Sequence, residues 1–488
     1  MKTGLAIIKN TSVMLFGRVV SLLLGIVYVA ALSRYIQAEG MGIIAAATSL
    51  LSMLSLLINF GLNDLIIRDV AADKSRAGTY LHSLLLVRGG LILVYFVLIA
   101  VIINWTNYSR DILIVIFIHS FSFALDALTD TCMSIFNAFE QMEYPTALQT
   151  GRDMINIGLS LAAIALKFHL FIIVGVSVFA SLLKFLASIV IIRRRLVPRL
   201  NPINPQLVRK LIVDALPFAA LIIISVVSSQ FDTFVLSINR SSTEVGWYAS
   251  ANLLVGNLLL FPTIFLKAIF PVLSKLHSSS QDELRKAYTT FFRLLTIVGY
   301  ALCLGTMVTA EKVIELFFGP GFEEAALVLR ILSLSLFWIV GYANGSLLLA
   351  TNAQKIATLL SGISMVLTII ITLILIPRYG YLGAALAHII PGGIFFLPLT
   401  WLCHHRLNLP LPYGLAAKSL TASVLMSGIV YVALYNQVHV LIAVLLIAPC
   451  VYGVALLGLG IITKPDIQYI LGLFKREKQI TSYVNKVK

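Results

Sequence analysis

The chain is made of long apolar runs, one after another, each bounded by charge, Gly, Pro or Asn. A membrane-spanning helix needs about 20 predominantly apolar residues, and most of these runs reach that length. A transmembrane β-barrel would instead show segments of about ten residues with alternating polarity. The repeated long run is therefore the signature of an all-α polytopic membrane protein. Composition agrees, with 59% of residues hydrophobic and 12% charged, against about 25% charged in a soluble domain. A soluble enzyme, a disordered chain and a disulfide scaffold are all excluded. The four cysteines (Cys132, Cys303, Cys403 and Cys450) fall inside apolar runs and read as packing residues. The first run reads as a spanning helix, because it is too long for the apolar region of a cleavable signal peptide.

About fourteen transmembrane helices are expected, near residues 11–36, 41–62, 80–103, 111–137, 147–167, 170–192, 211–238, 246–272, 288–310, 324–350, 355–376, 380–402, 415–435 and 438–462. The spacing gives an N-terminal six-helix lobe over 1–192, a basic linker over 193–210 and a second six-helix lobe over 211–406. A further helix pair follows over 407–463, then a basic tail over 464–488. With the N-terminus in the cytoplasm, the loops on that side hold 24 Lys and Arg, and those on the other side hold 7. The positive-inside rule then puts both termini in the cytoplasm. The net charge of +15 follows from this bias and from anionic lipid, so no nucleic-acid partner is expected. The longest connections, Asn63–Thr79 and Arg193–Lys210, read as cytoplasmic loops too short for a folded domain. No phosphate-binding G-x-x-x-x-G-K-[ST] motif occurs.

The lobes carry an internal repeat. Met41-Gly42-Ile43-Ile44-Ala45 resembles Val245-Gly246-Trp247-Tyr248-Ala249, an offset of 204 residues, and Arg88 matches Arg293 at nearly the same offset. An even number of helices per copy makes these parallel repeats about an axis along the membrane normal. Two pseudo-symmetric lobes of this kind describe a transporter working by alternating access.

Several stretches in order resemble the polysaccharide (O-antigen-type) flippases of the multidrug/oligosaccharidyl-lipid/polysaccharide exporter superfamily. They are Lys9-Asn10-Thr11 leading into Gly17-Arg18 and Gly25, Gly40-Met41-Gly42 with Asn59-Phe60-Gly61-Leu62, and Ala215-Leu216-Pro217-Phe218 with Gln230-Phe231-Asp232. Val245-Gly246-Trp247-Tyr248, Phe270-Pro271-Val272-Leu273-Ser274 and Ile376-Pro377-Arg378-Tyr379-Gly380-Tyr381-Leu382-Gly383 complete the set. The resemblance spans nearly the whole chain. It implies translocation of an oligosaccharide linked to a polyprenyl carrier, undecaprenyl pyrophosphate, across the cell inner membrane for polysaccharide synthesis. It implies no catalysis, no metal and no cofactor beyond a possible coupling ion, Na⁺ or H⁺. Membrane lipids, a polysaccharide polymerase and a chain-length regulator are the implied partners.

Charges inside spans are costly and usually face a cavity or a partner. A pyrophosphate asks for cations, and Arg binds oxyanions bidentately. Arg18, Lys184 and Lys267 are the candidate cations for substrate, and Asn59, Asn252, Asn257 and Asn344 are candidate sugar ligands. For each, the alternative is structural: snorkelling, a buried ion pair or helix stitching. Asp126 and Asp130, four apart on one helix face, and Asp232 are candidates for ion coupling or internal pairing. Arg88 and Arg293, near the cytoplasmic starts of their helices, read as gate or interface residues; lone His388 reads as packing.

Three rival readings compete. A multidrug antiporter of the same fold would want an anionic lumen. A lipid II flippase would want a cluster of several arginines in the opening helix pair, and no such cluster occurs there. A membrane glycan polymerase would want a sizeable external loop.

Overall fold

The structure is a computed structural model describing residues 2–59, 61–197 and 205–461. Side chains are described throughout these except at 2–23, 64, 205–218, 220, 221, 261, 264, 267 and 268. Among the described residues the chain is helical, with no strand. In chain order the helices are α1 (Lys2–Asn59), α2 (Leu62–Ala72), α3 (Ala77–Trp105), α4 (Arg110–Ala138), α5 (Glu143–Ala165) and α6 (Leu170–Arg195). Then come α7 (Pro205–Asn239), α8 (Ser242–Leu258), α9 (Leu260–Ser279), α10 (Gln281–Phe318), α11 (Glu323–Ser333) and α12 (Gly341–Ala350). The last are α13 (Gln354–Arg406), α14 (Tyr413–Tyr435), α15 (Val440–Ile442) and α16 (Ala448–Gly458). Ten helical stretches among the described residues are long and apolar enough to cross a membrane.

Two of these helices are really two segments end to end. α1 breaks at Gln37 (φ 58°) and α13 at Gly380 (φ 57°). Gly380 takes a positive φ that residues with a side chain rarely adopt, and a β-carbon there would also displace the Glu244 carboxylate. The expected span over 324–350 is likewise interrupted, by a 3₁₀ turn over Leu334–Val340 between α11 and α12. The expected span over 246–272 is divided at Leu259 between α8 and α9.

The stretch Asn63–Thr79, read from sequence as a loop, is mostly helix. In α2, Leu62, Leu65, Ile66 and Val70 are buried at the spacing of one helical face. The run is too short and too charged to signal a membrane span, so its amphipathic period was hidden. The turn to α3 is capped by Asp73, whose carboxylate accepts from Ser75 N at 3.1 Å and Ser75 Oγ at 2.6 Å. The Ser75 hydroxyl holds the Asp73 pKa below the usual carboxylate value.

The described residues fall into two compact units. The first takes those within Met1–Ala251, Ile314–Val328 and Thr358–Pro391. Its core has two main clusters. In one, Leu81, Leu84, Ile135 and Phe136 pack α3 against α4, with α2 laid over them. In the other, Ala46, Ala47, Leu50 and Leu51 of α1 meet Tyr95, Val115 and Ile116.

The second unit takes the residues within Asn252–Val313, Leu329–Ala357 and Gly392–Lys488. Here the closing helices α14 and α16 lie on α10. Tyr452 donates to the Ile297 carbonyl at 2.7 Å, and Met426, Val430 and Leu456 surround Ile297 in one apolar cluster. Cys132, Cys303 and Cys403 are buried thiols and Cys450 is exposed.

Candidate functional site

The charged groups of the first unit sort into three constellations. The first joins α4, α5 and α6. Lys184 is 8% exposed; its ammonium lies 3.5 Å from Asp126 Oδ1 and donates to Gln149 Oε1 at 2.9 Å. Arg152 approaches the other Asp126 oxygen at 3.6 Å and pairs with Asp153 at 3.6 Å. Ser181 donates to Asp126 Oδ2 at 3.3 Å. Two cations and two carboxylates balance, so this group clasps three helices. Its members Arg152 and Asp126 keep 20% and 33% of their side chains accessible. Arg152, which the sequence did not single out, lies well inside α5. Asp130, one turn beyond Asp126 on α4, makes no ion pair within 4 Å among the described residues.

The second constellation belongs to Arg88. The sequence suggested a guanidinium at the start of its helix near the membrane surface. The structure instead puts it eleven residues beyond Ala77 and fully buried, at 0% exposure. It donates to the Ala127 carbonyl, to Thr131 Oγ1 at 2.7 Å and to Asn63 Oδ1 at 2.5 Å. The planar fork thereby ties α2, α3 and α4 together. These bonds, all from the two terminal nitrogens, offset part of the cost of removing the charge from water, while Nε is buried with no partner among the described residues.

The third constellation gathers four turns of the first unit. Gly42 and Gly246, the pair that defines the repeat, face each other. The Ser242 carbonyl fills the space a β-carbon at Gly42 would need, and the Ala38 carbonyl does the same at Gly246. Around this crossing, Arg34 donates to the Leu316 carbonyl at 2.7 Å and Arg240 to the Pro377 carbonyl at 2.7 Å. Both carbonyls lie in the last turn of a helical segment, where intrahelical partners run out and the dipole favours a cation. Trp247 Nε1 donates to the Gly321 carbonyl at 2.9 Å, Tyr381 to Glu324 at 2.9 Å, and the Tyr381 amide to Glu244 at 3.4 Å. These bonds gather the turns at 34–42, 240–247, 316–324 and 377–381.

Asp232 lies two turns before Arg240 on α7 and is 2% exposed. It accepts from Thr372 at 2.5 Å and from Tyr248 at 3.5 Å, and His388 Nδ1 is 3.3 Å away. One carboxylate thus holds α7, α8 and both segments of α13. His388, read from sequence as a packing residue, is its ion-pair partner when protonated.

The remaining candidates are dispersed. In the second unit, Asn344 is fully buried. It accepts from Tyr288 at 2.7 Å and donates to Thr400 at 2.9 Å, which uses both ends of its amide inside the bundle. Asn252 is half-buried and Asn257 exposed. In the first unit, Asn59 keeps a buried Oδ1 with no hydrogen-bond partner among the described residues. Arg293 is half-buried on α10. The side chains of Arg18 and Lys267 lie outside the described residues. Among the described residues no group of His, Cys, Asp and Glu is arranged to hold a metal.

Comparison with known proteins narrows the field. The family model described as polysaccharide biosynthesis protein matches residues 7–277, and that described as lipid II flippase MurJ matches residues 154–456. A probable low-salt glycan biosynthesis flippase, Agl15 of Haloferax volcanii, is 25% identical over 209 residues, 42% of this chain and 43% of that protein. The probable flippase AglR of the same organism is 29% identical over 166 residues, 33% of this chain and 34% of that protein. The matched stretch is therefore less than half of either relative. Among solved structures, lipid II flippase MurJ in an inward closed conformation aligns with a TM-score of 0.76 at 17% identity, covering 91% of this chain and 97% of that one. An inward-facing multidrug resistance MATE family transporter of the MOP superfamily aligns with a TM-score of 0.63 at 13% identity, covering 80% and 94%. These likenesses establish the fold.

Proposed function

The chain belongs to the polysaccharide biosynthesis protein family, and from that premise we propose that it is a flippase carrying a lipid-linked oligosaccharide across the membrane by alternating access. The observation that carries this reading is the reciprocal contact of Gly42 with Gly246. Both lie at the same point of the two repeats, and carrier halves related in this way seal one end while the other admits substrate. On this reading the chain has fourteen spans with both termini in the cytoplasm, and the sealed end faces outward. The carrier is a polyprenyl pyrophosphate in the cytoplasmic membrane, and a polymerase and chain-length regulator act downstream. No bond in the substrate is made or broken.

Arg18 is the proposed pyrophosphate ligand, aided by Lys267. Lys184 reaches substrate only by exchanging its bond to Asp126. The asparagines at 59, 252, 257 and 344 are proposed sugar contacts. Asp232 with His388 is the proposed site at which Na⁺ or H⁺ drives the cycle, because it holds the same helices as the outer closure. Asp126 and Asp130 are secondary candidates.

A second reading is favoured by one finding: the lipid II flippase family model covers residues 154–456. Lipid II is also a pyrophosphate-linked glycolipid, so the two readings differ in the headgroup. The test is flipping in liposomes of a polyprenyl-pyrophosphate oligosaccharide and of lipid II, side by side, with wild type and Arg18→Ala. Loss of oligosaccharide flipping in the variant supports the first reading. Flipping of lipid II alone selects the second.

A further inference from the structure

We propose that the crevice between α9 and α10 is a resident lipid site, selective for a phospholipid whose headgroup carries both a phosphate and a primary ammonium. The two helices diverge from a single connecting residue, Ser280. Between them lies a cavity of about 500 Å³, walled by Phe265, Ile269 and Leu276 of α9 and by Phe291 and Leu294 of α10. The walls are apolar. The mouth carries Glu283 and Lys286, three apart and so on one face of α10.

Both charges are exposed, and neither has an ion-pair partner among the described residues. Neighbouring Arg285 is engaged with Asp282 at 3.1 Å. The local sequence makes the freedom of Glu283 more telling. Ser280-Gln281-Asp282-Glu283 is a capping-box sequence, in which the glutamate normally reaches back to the backbone N–H of the serine. Here Ser280 caps the Glu283 amide at 3.4 Å, but the Ser280 N–H donates to the Leu276 carbonyl at 2.9 Å. The glutamate is released from its usual partner and stands at the cavity mouth beside Lys286.

An opposite-charge pair above an apolar slot matches a zwitterionic lipid. Lys286 takes the phosphate, Glu283 accepts from the ammonium N–H groups, and an acyl chain fills the slot. A choline headgroup has no N–H to give Glu283, and an anionic headgroup meets its repulsion. Glu283 and Lys286 stand in the charged opening turns of α10, ahead of its apolar stretch from 288, and α10, at 38 residues, is about 57 Å long against a hydrocarbon core of about 30 Å, which leaves these turns for the membrane boundary.

The experiment is native mass spectrometry of the purified full chain with dioleoyl phosphatidylethanolamine, phosphatidylcholine and phosphatidylglycerol at equal concentrations. Phosphatidylethanolamine is expected to be retained about tenfold over phosphatidylcholine. Glu283→Gln should erase that preference, and Lys286→Gln should lower retention of both. Equal retention of the three lipids by wild type, or an unchanged preference in Glu283→Gln, overturns the proposal. Retention of phosphatidylglycerol above phosphatidylethanolamine also overturns it. Should either variant fail to purify, a photoactivatable phosphatidylethanolamine on wild type decides the matter. Labelling at 287–294 supports the site, and labelling elsewhere refutes it.

Discussion

Gly42 and Gly246 meet at a reciprocal crossing. The Gly246 amide nitrogen lies 2.9 Å from where a β-carbon on Gly42 would stand, and the Gly42 nitrogen lies 3.1 Å from the corresponding point on Gly246. The carbonyls that fill each position belong to Ser242 and Ala38, each four residues earlier in its own repeat. Small residues let helix backbones approach this closely in a membrane. The same relation makes the contact vulnerable to a single methyl group.

Gly246→Ala is therefore expected to open this end. Overpacking costs about 1–3 kcal/mol, which corresponds to roughly a 5- to 150-fold rise in the open population. Maleimide labelling of Ala38→Cys, buried at 4% exposure, in a Cys450→Ser background measures it. Unchanged labelling would show that the closure does not depend on the crossing.

The two arginine caps contribute separately, because Arg34 and Arg240 bond different helix ends. Arg34→Gln and Arg240→Gln should each speed the same labelling about fivefold, equivalent to about 1 kcal/mol per bond. The double variant should be near-additive.

Arg88→Lys tests the buried clasp. A lysine keeps the charge but loses the fork that serves Ala127, Thr131 and Asn63 together. The loss is expected at about 2–4 kcal/mol, read as a fall in the thermal unfolding midpoint with no change in lipid retention. A midpoint equal to wild type would contradict the assignment.

Much of this architecture was legible in the sequence, and its limits have physical causes. Apolar runs and loop charge encode helices in a membrane strongly, so the short turns at 166–169 and 436–439 were read where they lie. Gly42 and Gly246 stood out as matching positions in the sequence, and in the structure each is held to glycine by backbone contact with the other's helix. Pairing was not legible. Nothing local to Arg88 announces that Asn63 and the Ala127 carbonyl surround it. Nothing local to Lys184 announces that Asp126, 58 residues away, is its partner. Arg152 drew no notice because its partners Asp126 and Ser181 stand on other helices, the latter 29 residues away. His388 looked solitary because its partner Asp232 is 156 residues away.

Lys184→Met separates the two roles open to that residue. Removing one partner of a buried pair exposes the other's desolvation cost, about 3–5 kcal/mol when fully buried and less here because Asp126 is a third accessible. Adding Asp126→Asn should recover part of the thermal midpoint. If flipping recovers with it, Lys184 is a structural partner. If flipping stays lost while the midpoint recovers, Lys184 is a substrate ligand.

Asp232→Asn should abolish any stimulation of flipping by an imposed Na⁺ or H⁺ gradient while leaving gradient-free flipping measurable. Stimulation that survives in the variant would remove Asp232 and His388 from coupling.

The most direct measurement of the central claim is headgroup exposure in proteoliposomes. Purified protein is reconstituted with a polyprenyl-pyrophosphate oligosaccharide confined to the inner leaflet, and a glycosidase is added outside. The account predicts digestion that depends on protein and is lost in Arg18→Ala. Digestion no greater than in protein-free liposomes, with uptake of organic cations in its place, would contradict it.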